Sequence, residues 1–294
     1  MRFRLCLLII AVTRLAFAQH FDSAPSSGTT LSQTQIQDLI RKTAVNDQEN
    51  DKRQRDYTYT ERVDEHKLDG KGQVKSGAVR TYEILEIYAE QVRRLVAKDD
   101  KPLSDKDSAK EEEKIQKVID KRKNETEEQR KKREAKEEKE REQDRQFVNE
   151  VADAYNFYFA GIESLGGRDT YVIDAEPRPG FEPHVKDAKL LPKFRFRAWI
   201  DKNETQWAKL DVQCIDTVSF GLFLARLHKG ARIVLEQTRI NDEVWLPQHV
   251  AVKVDLRLAL LKDLNVEQDV TYRDYKKFRA ATKIIPGEEV REQP

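Results

Sequence analysis

Cysteine is nearly absent: two in 294 residues, beside one methionine and five histidines. Cys6 falls inside an N-terminal apolar run, so beyond that run only Cys214 remains and no intramolecular disulfide is expected. Cys214 alternates in step with Leu210 and Val212, the position of a small buried hydrophobe rather than a nucleophile. His20, His66, His184, His228 and His249 are scattered, with no histidine or cysteine spacing that would hold a metal. No nucleophile elbow, phosphate-binding loop or dinucleotide fingerprint occurs. The expectation is a non-enzyme that needs no cofactor. Charge of one sign is also missing: 54 Lys and Arg face 53 Asp and Glu, a formal net charge of +1. Nucleic-acid binding wants a basic face, so no nucleic-acid partner is expected. Beyond residue 18 no apolar run approaches the roughly 20 residues of a membrane-spanning helix, so no stable membrane span is expected.

What is present begins with a signal. Arg2 and Arg4 precede an apolar stretch at 5–12, and Ala16-Phe17-Ala18 supplies small residues at a cleavage site. Residues 1–18 read as a secretory signal peptide cut after Ala18, which places the protein in the periplasm or outside the cell. Losing Arg2, Arg4 and Arg14 takes the formal charge from +1 to −2. Residues 19–29 form a Ser/Pro/Gly/Thr linker. A helix is expected over 30–47, where Ser32 and Gln35 make a capping box and Leu31, Ile36, Leu39, Ile40 and Ala44 recur at helical spacing. Alternating residues predict strands at 56–68 and 78–88, joined at 69–72, with a short third at 90–97. Residues 30–103 therefore supply a helix and the first strands.

Residues 104–154 form a charged helical insertion of coiled-coil-like charge patterning. Between 104 and 145 there are 15 acids and 15 bases and no Gly or Pro. Opposite charges fall at i, i+3 and i+4, each pair adding about 0.2–0.5 kcal/mol to a helix. Ile115, Val118 and Ile119 make one apolar stripe; Phe147, Val148, Val151, Ala152 and Tyr155 make another. Asn124-Glu125-Thr126 followed by Gln129 suggests a break with a fresh cap, which favours a helical hairpin over one long helix. Two uses stand open: an arm for a partner in the cell envelope, or a solvated insertion.

Residues 155–285 read as the main antiparallel sheet, with alternating segments at 155–163, 170–176, 193–202, 205–216, 218–228, 231–240, 244–258 and 266–278. A proline-rich excursion occupies 177–192, and 286–294 is a polar tail. Runs joined by short polar turns build the wall of an up-and-down barrel. The fold class is mainly β (α+β): a curved, unclosed antiparallel barrel with helices over its open face. Tyr57, Tyr59, Tyr82, Phe157, Phe159, Phe194, Phe196, Phe220, Leu222 and Leu224 are the candidates for an apolar concave cavity. Such a cavity suits an acyl chain; the alternative is that these residues are core packed beneath the helices.

Several stretches together carry a resemblance: 57–61 (Tyr-Thr-Tyr-Thr-Glu), 80–83 (Arg-Thr-Tyr-Glu), Arg93 to Lys98 with 101–104 (Lys-Pro-Leu-Ser), 167–172 (Gly-Arg-Asp-Thr-Tyr-Val), 199–202 (Trp-Ile-Asp-Lys), Glu236-Gln237, 244–247 (Val-Trp-Leu-Pro) and 272–275 (Tyr-Arg-Asp-Tyr). The pattern resembles an uncharacterised exported bacterial family similar to the outer-membrane lipoprotein-sorting carriers, and covers roughly 155–280 best. The resemblance implies helices across the mouth of an unclosed barrel and a cavity sheltering a lipid or an acylated lipoprotein in transit. Such carriers lack the charged insertion at 104–150. An envelope-stress or protein-interaction module using the same sheet and the charged arm is the other function in view.

Overall fold

The computed structural model describes residues 30–88, 90–220, 225–258 and 262–277. The signal at 1–18, the linker at 19–29, the tail at 286–294 and the candidates Leu222 and Leu224 lie outside them. Thirteen strands are described: β1 (Tyr57–Leu68), β2 (Val74–Ile87), β3 (Glu90–Lys98), β4 (Lys101–Pro102), β5 (Tyr155–Leu165), β6 (Arg168–Pro177), β7 (Phe194–Asp201), β8 (Trp207–Cys214), β9 (Val218–Phe220), β10 (Ala225–Leu227), β11 (Arg232–Ile240), β12 (Val244–Leu258) and β13 (Lys262–Lys277). They form one antiparallel, unclosed sheet in the order β4-β3-β2-β1-β13-β12-β11-β8-β7-β6-β5, with β10 on β12 and β9 on β10. The mainly β, curved and unclosed class expected from the alternation is the one observed.

Alternation decides the two faces. In β7, Phe194, Ala198 and Ile200 are buried, and in β8 Ala208, Leu210 and Cys214. The residues between them point the other way and pair across strands. Arg197 binds Asp174 through two bonds of 2.6 and 2.7 Å. Arg232 holds Asp211, and Lys209 reaches Glu236 at 2.7 Å. This ion-paired outer face stays wet, and the inner face takes the helices.

Helix α1 (Gln33–Gln54) starts at the Ser32–Gln35 capping box, as its spacing predicts, but runs seven residues past 47. Its polar last turns carry no apolar stripe to read. They are held by amides instead: Asn50 donates to the Trp245 carbonyl and accepts from the Trp245 N–H, both at 2.8 Å. At the other end Gln33 grips β5 in the same way, donating to the Tyr155 carbonyl and accepting from the Phe157 N–H. A side-chain amide thus imitates a neighbouring strand at each end of α1.

The charged segment is two helices, α2 (Asp105–Lys123) and α3 (Glu127–Ala154), parted at Asn124 and recapped by Thr126 with Gln129. Helix α2 packs on β3 and α3 on α1 and on a 3-10 segment, Lys186–Lys193, in the proline-rich excursion. The two apolar stripes do not share a core: Phe147 and Val151 join the main cluster, which Ile115 does not enter. The topology supplies a reason for the segment's length. β4 ends at one edge of the sheet and β5 begins at the other. Ten gaps between eleven strands amount to about 48 Å along the sheet, and the 28 residues of α3 reach about 42 Å. The chain crosses the inner face on this strap.

One strand expectation is corrected. The stretch 218–228 is two short strands, β9 and β10, paired antiparallel with Ala225 opposite Phe220. Val218 and Phe220 therefore do not share one continuous strand with Ala225 and Leu227; Leu222 and Leu224 lie outside the described residues. Apolar spacing reports which side chains alternate but carries no information on chain direction.

Candidate functional site

A cavity of about 740 Å³ lies between the inner face of the sheet and the three helices. Its floor is apolar: Val63 of β1, Ile233 and Leu235 of β11, Val250 and Val252 of β12 and Val270 of β13. Period-two alternation puts these side chains on one face, and antiparallel register aligns them, as where Val63 and Val250 both lie opposite Val270. The roof is polar and charged, from Gln54 of α1 and the capping Arg55, Arg122 of α2, and Arg133, Lys136 and Glu137 of α3. A second space of about 140 Å³ adjoins it beneath α1 and α3, sharing Asp51, Gln54, Ile233, Leu235 and Val250 with the first. Its walls include Phe147, Tyr155, Phe194, Phe196 and Trp207. A third, of about 100 Å³, continues along β7 and β8 past Phe196, Ile200 and Leu210.

The candidates from the sequence divide accordingly. Tyr59 lines the main cavity, and Phe194 and Phe196 line its aromatic extension. Tyr57 is core: it packs with Val244 and Leu246, its hydroxyl donating to Glu243 and accepting from Asn241 at 2.9 Å. Phe157 is buried beside Phe196 with ring centres 6.3 Å apart. Phe159 packs edge-on to Tyr171, and Tyr82 lies under the Arg93 guanidinium, 4.1 Å from its ring centre. These four line none of the three spaces. Phe220 belongs to β9, and its side chain falls outside the described residues, as do Leu222 and Leu224.

Composition and motif reading missed the polar residues of the site. Glu61 continues the inward row Tyr57, Tyr59, Val63, and Glu86 continues the row Tyr82, Ile84. An acid on the apolar face of an alternating strand was the available signal, masked by the abundance of Asp and Glu. Burial raises the Glu61 carboxyl, and Arg93, hydrogen-bonded to it, opposes the rise. Burial likewise pushes Glu86 up to about 7, opposed by Arg55. The roof is laced together at the α2–α3 elbow: Arg133 clasps Glu125 with two 3.0 Å bonds, and Arg122 joins Glu125 to Glu90 of β3. Cys214 is buried, its thiol pushed up to about 11 by that burial, which suits a packing role. Among the described residues no group of three or more His, Cys, Asp or Glu side chains is placed to hold a metal ion.

Asp47 of α1 lines the two smaller apolar spaces. Burial first, then the Asp51 charge, push its carboxyl up to about 6 despite bonds from Gln206 Nε2 and Trp207 Nε1. The native state therefore holds this proton more tightly than the unfolded chain. Its contribution to stability is present at low pH and is lost as pH rises from about 4 to about 6. Asp47→Asn keeps an oxygen for both donors and removes the charge. Urea melts at pH 8 should show the variant more stable by roughly 1–2 kcal/mol, with the advantage fading by pH 4. A variant no more stable than the parent at pH 8 would show that the carboxylate is not strained there.

No family model matches the chain, and no curated protein matches it. Solved structures do. A domain of a putative outer membrane lipoprotein-sorting protein from Vibrio parahaemolyticus is 12% identical over 83% of this chain and 95% of that one, with a TM-score of 0.33. A DUF1329 family protein from Desulfovibrio piger is 12% identical over 83% and 94%, with a TM-score of 0.28. A LolA superfamily protein from Nitrosomonas europaea is 8% identical over 86% and 95%, with a TM-score of 0.26. The resemblance to lipoprotein-sorting proteins read from the sequence thus recurs among these structures. At such scores the likeness adds nothing to a functional argument, which rests on the cavity. No helix among the described residues is long and apolar enough to cross a membrane.

Proposed function

We propose that this protein is a periplasmic carrier that shelters the acyl chain of a lipid or an acylated lipoprotein between its sheet and its helices. The observation that carries this reading is the cavity of about 740 Å³ with an apolar β floor, opening towards an aromatic-walled extension. Ligand sites range over about 300–1,000 Å³ and are mostly apolar with a few polar groups to orient the ligand. Apolar burial favours the chain by about 25 cal/mol per Å² removed from water, with no directional partner required. The charged strap suits the same role, because a roof of ion pairs can face solvent on one side and cover an apolar space on the other. Export by the N-terminal signal and a role without catalysis belong to the same proposal.

Mass spectrometry of an organic extract of the purified protein, paired with displacement of a fluorescent fatty-acid probe, tests it. Co-purified lipid and saturable displacement are the expected result. A lipid-free protein that ignores the probe would overturn the reading and turn attention to protein capture by the charged helices.

A further inference from the structure

Most of the charged groups lining the main cavity are already engaged. Arg93 binds Glu61, Arg122 binds Glu90, Arg133 binds Glu137 and Lys136 reaches Glu140. Two groups of opposite sign stand apart. Both carboxylate oxygens of Glu86 are buried without a hydrogen-bond partner among the described residues. Arg55, at the end of α1, lines the same cavity and forms no ion pair among them. The two feel each other's charge without closing into a pair. A carboxylate withdrawn from water with no donor is costly, and a ligand that brings the donor recovers that energy.

Building on the acyl-binding reading, we propose that this end of the cavity takes the head of a zwitterionic phospholipid, its ammonium on Glu86 and its phosphate on Arg55. The acyl chain then lies along Val63, Val250 and Val270 of the floor. Arg suits the phosphate because its planar guanidinium donates two parallel bonds. Glu86 sits on β2 and Arg55 at the C-terminal end of α1, so the head bridges sheet and roof. Both Glu86 oxygens are buried, so the head engages them through a turn of the side chain. A fatty acid offers Arg55 its charge but leaves Glu86 without a cation, and a neutral glyceride brings hydroxyl donors but no charge for either.

The test is competition, with the exported chain, between the fluorescent acyl probe and three lipids of one chain length below their micelle concentrations. These are lysophosphatidylethanolamine, lysophosphatidylglycerol and monoacylglycerol. The ethanolamine lipid is expected to displace the probe at a concentration about tenfold lower than either of the others. Glu86→Gln should erase its advantage over the glycerol phospholipid, and Arg55→Gln should shrink its advantage over the monoacylglycerol to what the ammonium on Glu86 supplies. Glu86→Gln removes an unpaired buried charge, so loss of folding is not expected to obscure the result. Equal displacement by all three, or a ranking that neither variant changes, would overturn the head-group assignment while leaving acyl binding intact. Failure of every lipid to displace the probe would instead sink the acyl-binding reading, and this assignment with it.

Discussion

Arg168→Met is expected to destabilise the protein by about 3–5 kcal/mol, the usual consequence of leaving a buried charge without its partner. The Asp201 side chain has no exposed surface, and Arg168 meets it through bonds of 2.7 and 3.1 Å. The same carboxylate accepts the N–H groups of Asn203 and Glu204 in the turn that follows β7. Burial raises the Asp201 carboxyl, but Arg168 and these backbone donors more than offset it, holding it below the usual range. Glu204, in turn, accepts from Arg168, Arg239 and Trp245 at 2.9 Å each, tying the turn to β11 and β12. Methionine matches much of the arginine stem and supplies none of this. Urea denaturation at pH 7 measures the loss, which corresponds to a melting temperature lower by roughly 10 °C for a chain of this size. The double variant Arg168→Met with Asp201→Asn should recover part of it, because the uncompensated charge is gone. A single variant within about 1 kcal/mol of the parent would mean that water reaches Asp201 and that the network is a surface one.

Val250→Trp should raise the dissociation constant of an acyl probe at least about tenfold. Val250 lines both the main cavity and its aromatic extension, alongside Ile233 and Leu235. An indole there occupies the passage an extended chain would follow. Overpacking a filled core costs about 1–3 kcal/mol, but here the added volume enters an existing space, so the loss should appear in binding far more than in stability. Val45→Trp is the matched control, since Val45 lies on the outer side of α1 and is 58% exposed. Unchanged probe affinity in the Val250 variant, with the fold intact, would place the ligand elsewhere.

Much of the fold was legible in the chain because the signals are local. Alternation in β7 and β8 specifies which side chains share a face, and the Ser32–Gln35 and Thr126–Gln129 boxes mark helix starts by satisfying backbone donors within one turn. The site was legible in part. Tyr59, Phe194 and Phe196 do face the cavities, whereas Tyr57 and Phe157, on the same alternating pattern, are packed into core, since alternation separates inside from outside but not core from cavity.

Residues a few positions apart suffice to specify most of the strands, the helix starts and the break in the charged segment, and the run of alternating segments specifies the unclosed antiparallel class. Long-range packing alone makes the charged segment a strap from one sheet edge to the other. It also decides that Asn50 and Gln33 clamp α1 to strands more than a hundred residues away, and that Glu86 and Arg55 line one cavity. Those facts depend on which distant strands become neighbours, and long-range pairing is set by the joint packing of the whole sheet, which no local pattern encodes.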